Sequence, residues 1–256
     1  MKRLLQVFLL VMLCPLAAAA QSSSGPVRYA LLSAVGDQLT VVFARVQTGS
    51  RLDRNEREVA TLPDNTLDRL VLRSLDDAFR RSAPKAEVAA LAAANKSLFD
   101  AQRDVLTGRA SSDTPVRAFA AALPPGGADR LLMVLKHRAD ARIPVDDGTI
   151  GLGRLEGVGF YVDRVTVLKS LKTRGQGAGF LAPFAYVRLV LADANGNVLA
   201  EKAVEAAATF GIGSAPGAIE AWEVLDANEK AKVLDGLLKR EIERALPELL
   251  ASASKR

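Results

Sequence analysis

Residues 184–207, FAYVRLVLADANGNVLAEKAVEAA, carry the pattern that decides the fold class. Val187, Leu189 and Leu191 share one face of an extended chain, and all three are apolar. This alternation predicts a strand with that face against the core. The turn residues DANGN at 193–197 follow, and a second β-prone run continues to Ala207. The stretch therefore predicts an antiparallel hairpin.

Further strands are predicted on the N-terminal side of this hairpin. Residues 129–136 (DRLLMVLK) form a near-continuous apolar run, which is typical of a buried central strand. Residues 160–171 (FYVDRVTVLKSL) alternate over a longer distance. Near the N-terminus, residues 27–35 and 39–46 flank the turn residues Gly-Asp-Gln, and this arrangement predicts an N-terminal hairpin.

Helices are predicted between and after the strands. Apolar residues recur at steps of three and four after Pro63, which indicates an amphipathic helix. The alanine-rich residues 85–107 and residues 115–123 are also predicted to be helical. Asp226 and Glu229 have capping-box spacing before a last helix. The apolar stripe of that helix consists of Leu234, Leu237, Leu238, Ile242, Leu246 and Leu249.

The order of elements predicts one α+β domain. It reads β-β-α-α-(α)-β-β-β-β-α, without a repeat or a linker long enough to force two domains. We expect residues 27–251 to form a mainly antiparallel sheet with helices packed on one face. Residues 252–256 are expected to be a polar tail.

Composition places the chain in the ordinary globular class. Of its 256 residues, 49% are hydrophobic and 25% are charged, a balance too apolar for a disordered chain. It is also too charged for a protein that spans the membrane many times. Gly 19, Pro 11 and Cys 1 exclude collagen-like and disulfide-rich classes.

The N-terminus has the pattern of a secretory signal peptide. Lys2 and Arg3 precede an apolar run at 4–16, and Ala18 and Ala20 fit the small-residue cleavage rule. We expect cleavage between Ala20 and Gln21, a flexible leader at 21–26, and a periplasmic or secreted mature protein. The apolar run is too short to span a bilayer, so no transmembrane span is expected in the mature chain.

Cys14, the single cysteine, lies inside this signal peptide. Leu13 precedes it and Pro15 follows it, which does not fit a lipoprotein signal, so a lipid anchor at Cys14 is not expected. The signal peptide also holds two of the 34 basic residues and no acid. The remaining basic excess is small, and we expect no nucleic-acid partner.

His137 is the only histidine, which excludes a histidine-rich metal site. No G-x-S-x-G motif accompanies it. We expect no catalytic residue, no metal and no cofactor. The alternative is a periplasmic hydrolase that uses His137 with Asp140 or Asp163.

Two glycine-rich segments, GTIGLGRLEGVG at 148–159 and GQGAG at 175–179, bracket the 160–171 strand. A strand rather than a helix follows the first, so a dinucleotide-binding loop is not indicated. We expect both segments to be mobile and to face a partner. One alternative is a small-ligand binding protein that uses these two loops. Another is that the aromatic residues near them belong to the core. The expected partner-facing surface comprises Gly151, Gly153, Arg154, Tyr161, Gly177 and Phe180.

Two segments resemble a known group of proteins. These are ADRLLMVL at 128–135 and the hairpin YVRLVLADANGNVLA at 186–200. They resemble bacterial envelope accessory proteins of the curli-secretion-channel-like and penicillin-binding-protein-activator-like kind. The resemblance implies a small α/β domain with a non-catalytic accessory role. We expect its partner to be another envelope protein or envelope component. The segment from Gly148 to Pro183 has no counterpart in that pattern.

Overall fold

The computed structural model describes residues 25–45, 53–92, 96–124, 126–169, 176–212 and 220–254. The signal peptide, its cleavage site and Cys14 lie outside these residues, as do most of the leader and residues 170–175. The strands are β1 (Arg28–Ala34), β2 (Gln38–Phe43), β3 (Glu56–Thr61), β4 (Glu87–Ala92), β5 (Arg130–Lys136), β6 (Arg138–Asp140), β7 (Ile143–Val145), β8 (Gly148–Ile150), β9 (Arg154–Lys169), β10 (Gln176–Asp193), β11 (Val198–Ala207) and β12 (Phe210–Gly211). The α-helices are α1 (Thr66–Ser82), α2 (Lys96–Leu106), α3 (Thr114–Ala122) and α4 (Ala227–Ala253).

One large mixed sheet organises the chain. Its strand order is β3-β2-β9-β10-β5-β1-β4, while β11 and β12 pair with β10 and β6 pairs with β9. The pairs β2/β9, β5/β1 and β1/β4 are parallel, and the other pairs are antiparallel. The predicted α+β class with a mainly antiparallel sheet is confirmed.

Along one edge, the long strand β10 pairs with two different strands, and each of these begins a separate branch of the sheet. From Gln176 to Tyr186 it pairs with β9, and from Val187 to Asp193 it pairs with β5. Where the partner changes, the His137 N–H donates to the Tyr186 carbonyl oxygen at 2.9 Å. The Gly157 N–H donates to the His137 carbonyl oxygen at 3.3 Å. We call this junction of Lys136, His137 and Gly157 the fork.

Helices cover both faces of the β5 branch. The long helices α1 and α4 pack on one face, against residues such as Leu31 and Leu132. These two helices meet the expectation that helices pack on one face of the sheet. The shorter helices α2 and α3 pack on the opposite face, against residues such as Leu32 and Met133. Both sides of β1 and β5 are apolar, so both need to be shielded from water.

The predicted N-terminal hairpin is wrong. β1 lies between β4 and β5 in parallel register, whereas β2 lies between β3 and β9. Both strands are rich in buried side chains, and pairing on both edges satisfies more of their backbone groups than one hairpin would. The turn at 35–37 therefore carries the chain from one branch of the sheet to the other.

The predicted helix over residues 85–107 is only partly correct. Glu87–Ala92 is a strand that pairs with β1, and the helix is confined to Lys96–Leu106. Alanine favours helices, but a free edge of β1 supplies backbone partners that outweigh this weak local preference.

The other predicted elements agree closely with the structure. The turn at 193–197 joins β10 to β11, and Pro115 lies in the first turn of α3. The Asp226 carboxylate accepts from the Glu229 N–H, and the Glu229 carboxylate accepts from the Asp226 N–H, both at 2.8 Å. The whole apolar stripe of α4 is buried. This helix continues to Ala253, so the expected polar tail begins later than residue 252.

Candidate functional site

A crevice lies where the parallel strands β1 and β5 end at the fork. The Gln102 side chain of α2 joins the two strand ends: its amide nitrogen donates to the Ala34 carbonyl oxygen and its amide oxygen accepts from the Lys136 N–H, each at 2.8 Å. In sheets with parallel strands, the crevice outside the carboxyl ends at such a change of direction is the usual place for a ligand.

Two cavities open in this crevice and share Leu106 and Lys136. The first, which we call the basic cavity, has a volume of about 300 Å³. Its lining consists of Val105, Leu106, Ser112, Lys136, His137, Arg138, Arg154, Arg188, Glu201 and Ala203. The second, which we call the mixed cavity, has a volume of about 490 Å³. Its charged lining residues are Asp37, Lys96, Asp100, Arg103, Lys136 and Glu156.

Lys136 stands between the two cavities, and a glycine makes room for it. Gly157 has a φ of +68°, and a Cβ there would lie 3.3 Å from the Lys136 Cδ. The bare backbone of Gly157 thus accommodates the aliphatic part of the lysine. Within the described part of the chain, the Lys136 ammonium forms no hydrogen bond and no ion pair. A cation with free donors therefore faces the crevice.

A buried carboxylate lies beneath the crevice. Asp68, in the first turn of α1, accepts from the Ser33 hydroxyl at 2.5 Å and from the Gly36 N–H at 3.0 Å. Burial raises the pKa of Asp68, and this effect exceeds the lowering by those hydrogen bonds and by the charge of Lys136. The carboxylate holds the end of β1 and the start of the turn toward β2.

Arg188 forms a buried part of the wall of the basic cavity. Its residue exposure is 8%, and burial lowers the pKa of its guanidinium. One terminal nitrogen donates to the Ser112 carbonyl oxygen at 2.5 Å, and the other lies 3.4 Å from the Glu201 carboxylate. A guanidinium has five N–H donors, so these contacts leave donors for a further acceptor.

His137 lines the basic cavity, but its partner is neither of the acids considered for a hydrolase. Its Nε2 lies 3.2 Å from the Glu205 carboxylate. Asp140 lies 3.5 Å from the Nε of Arg154. Asp163 accepts from backbone and side-chain groups of the residues that follow it, at 2.7–2.8 Å. The tertiary pairing of β10 with β11 brings Glu205 to this position, and no local motif signals it.

The glycine-rich residues 148–159 are mostly part of the strands β8 and β9. A Cβ on Gly153 would lie 2.4 Å from an Asp53 carboxylate oxygen, so the neighbouring chain packs directly against this glycine. The same carboxylate accepts from the Arg154 N–H at 3.0 Å. A Cβ on Gly151 would lie 2.9 Å from the Ala141 carbonyl oxygen, which is also a close approach. Of the six residues expected to face a partner, Arg154 lines the basic cavity.

Tyr161 and Phe180 belong to the core and are not available to a partner. Their exposures are 1% and 0%, and their rings stack with centroids 6.0 Å apart. The Leu152 N–H donates to the Tyr161 hydroxyl at 3.0 Å, and burial raises the pKa of that hydroxyl to about 12. Gly177 lies in β10 opposite Leu168 of β9. The near-continuous apolar run FLAPFAYV at 180–187 is the sequence signal for a strand buried on both faces.

No protein-family model matches the chain, and a search of the curated proteins finds no relative. The described part of the chain holds no helix that is long and apolar enough to cross a membrane. Nor do its residues contain a group of three or more His, Cys, Asp or Glu side chains placed to hold a metal ion.

Proposed function

We propose that the protein is an exported, non-catalytic binding protein of the bacterial cell envelope, and that its ligand or partner enters the crevice at the fork. Two features support this. The N-terminal sequence has the pattern of a secretory signal peptide, and the folded chain offers two adjoining cavities. The resemblance of residues 128–135 and 186–200 to envelope accessory proteins points the same way.

The observation that carries the proposal is the position of Lys136. It lies at the carboxyl end of a buried parallel strand and is shared by both cavities, and its ammonium forms no hydrogen bond or ion pair with the described residues. The charge of Lys136 acts on the Asp68 carboxylate beneath the crevice, and this attraction leaves the N–H donors of the ammonium free for a ligand.

Two measurements test the export part of the proposal. We expect the protein in the periplasmic or secreted fraction, with Gln21 as the first residue by N-terminal sequencing. An intact mass that still includes residues 1–20, or a mature N-terminus at a lipid-modified Cys14, would contradict it.

A crevice-filling variant tests the binding part. Leu106→Trp places a large side chain at one of the two residues common to both cavities, and Lys239→Trp on the exposed side of α4 is the matched control. Immobilised mature protein would be incubated with separated lipid, glycan and small-molecule fractions of the envelope. We expect the wild type and the control to retain the same component and Leu106→Trp to lose it. Equal retention by all three would place binding elsewhere.

His137→Ala separates binding from the hydrolase alternative. We expect this variant to support growth and envelope integrity in a deletion strain as well as the wild type does. A loss of function of about a hundredfold, the scale of general acid–base catalysis, in a variant that still folds would favour the hydrolase.

A further inference from the structure

We infer that the basic cavity binds a compact phosphate group carried by a small organic ligand. This rests on the proposed function, because it names the ligand class of the same crevice. The lining includes four Lys or Arg residues and one carboxylate, Glu201. The charged groups that face the cavity are therefore mostly cationic, and an anion would complement them.

The ion pairs around this cavity are loose. They are His137–Glu205 at 3.2 Å, Arg188–Glu201 at 3.4 Å, Arg154–Asp140 at 3.5 Å and Arg138–Glu156 at 3.9 Å. Two other pairs are as long, Arg164–Glu220 at 3.7 Å and Arg240–Glu241 at 3.4 Å. Elsewhere the pairs are tighter, as in Arg80–Asp76 at 2.8 Å and Arg109–Asp104 at 2.7 Å. Charge-assisted hydrogen bonds normally measure about 2.7–2.9 Å, so the carboxylates hold the cavity cations weakly.

Free donors follow from these distances. The Lys136 ammonium and the guanidiniums of Arg138 and Arg154 donate no hydrogen bond to any residue in the described ranges. Of the four carboxylates near the cavity cations, Glu201 alone belongs to the cavity lining. Most of the charged groups that a ligand meets in this cavity are therefore N–H donors.

Volume and charge favour a phosphate over a carboxylate. A cavity of about 300 Å³ is at the small end of the range for organic ligands. A phosphate monoester carries roughly −1.5 to −2 charges near neutral pH and three strong acceptor oxygens, whereas a carboxylate carries a single charge. Arginine matches two oxygens with its planar fork, and lysine supplies a point charge. Arg188 and Lys136 provide one of each.

Calorimetric titration of the mature protein at low salt tests the inference, with phenyl phosphate, benzoate and phenol as probes. We expect phenyl phosphate to bind at least about tenfold more tightly than benzoate, and phenol to show no binding. We expect its affinity to fall as salt is added. A pelleting assay with phosphatidic acid in phosphatidylcholine vesicles distinguishes a small phosphate ester from a lipid headgroup. The inference expects no enrichment on these vesicles.

Lys136→Met is the decisive variant because it removes the charge and keeps an aliphatic chain over Gly157. We expect it to weaken phenyl phosphate binding at least about tenfold while its circular dichroism spectrum stays that of the folded wild type. Lys239→Met, which removes one exposed charge from α4, is the control and should bind as the wild type does. Arg138→Gln provides a second, independent loss of affinity if Lys136→Met fails to fold.

Each contrary outcome has a separate meaning. If phenyl phosphate fails to bind, or binds equally to Lys136→Met and the wild type, the phosphate inference is wrong. If Leu106→Trp still fails to retain the envelope component, the proposed function stands even though the phosphate inference is wrong. Tighter binding of benzoate overturns the phosphate assignment in favour of a carboxylate ligand. Binding to the vesicles alone overturns the assignment to a small ligand.

Discussion

Replacing Gly159 with alanine tests whether the glycine-rich residues 148–159 are structural. Gly159 lies in β9 opposite Thr40 of β2, in one of the parallel pairs. A Cβ at this position would lie 1.8 Å from the Thr40 carbonyl oxygen and 2.9 Å from the Phe184 ring. A carbon and an oxygen that are not bonded normally stay about 3.3 Å apart. The two strands would have to separate by about 1.5 Å, the difference between these distances.

Such a separation is costly because β2 is tied to the core. Val41 and Val42 of this strand are buried, and the pairing continues to Phe43. Overpacking of a close contact usually costs about 1–3 kcal/mol, and the backbone on one side and the aromatic ring on the other leave little room to relax. We therefore expect a loss of about 3 kcal/mol in the free energy of unfolding. For a chain of this size that loss lowers Tm by about 6–12 °C.

Urea unfolding followed by circular dichroism measures this loss, and Gly236→Ala provides the control. Gly236 lies within α4, and a Cβ there would meet no atom within 4 Å. Because alanine favours a helix more than glycine does, Gly236→Ala should gain about 0.5–1 kcal/mol. A Gly159→Ala variant within about 0.5 kcal/mol of the wild type would refute the close packing of β2 on β9. It would instead favour the mobile segment expected from composition.

Three further predictions concern titration and capping. Burial raises the pKa of Tyr161 from 10.0 to about 12. The stability due to the neutral hydroxyl is therefore complete below pH 10 and is lost as the pH rises toward 12. In alkaline unfolding, Tyr161→Phe should lose less stability over this pH range than the wild type does. Burial also raises the pKa of Asp68, so its favourable contribution exists at acid pH and is lost as the carboxyl ionises. Asp68→Asn, which still accepts from the Gly36 N–H, should unfold at an equal or higher urea concentration than the wild type at pH 7, and a clear fall would contradict a cost of burial. Asp226→Ala removes the cap of α4 and should cost about 1 kcal/mol in urea unfolding, whereas an unchanged midpoint would show that the capping box does not contribute.

The sequence predicts few of the residues that line the candidate site. His137 is notable as the only histidine, and Arg154 lies among the glycines of 148–159. Both residues line the basic cavity. Lys136 and Gln102 carry no motif, because their role depends on where the two strand ends meet. The glycine-rich segments predict a partner-facing surface with Tyr161 and Phe180, whereas the structure buries both.

Local patterns determined the elements that depend on neighbouring residues. The hairpin of β10 and β11, the apolar strand β5 and the capped helix α4 are specified by alternation, turn chemistry and capping, all of which act over a few residues. These signals were sufficient for the α+β class.

Tertiary structure alone decided the partners of β1, β2 and β4, the fork and the crevice. The stretch 28–43 is compatible with a hairpin, and the alanine-rich stretch 87–92 is compatible with a helix. Their final pairing depends on strands more than forty residues away in the chain, namely β5 for β1 and β9 for β2. Local propensities amount to fractions of a kilocalorie per residue, whereas the burial of both faces of a central strand contributes far more. The non-local term therefore overrides the local one and creates the crevice where the two branches separate.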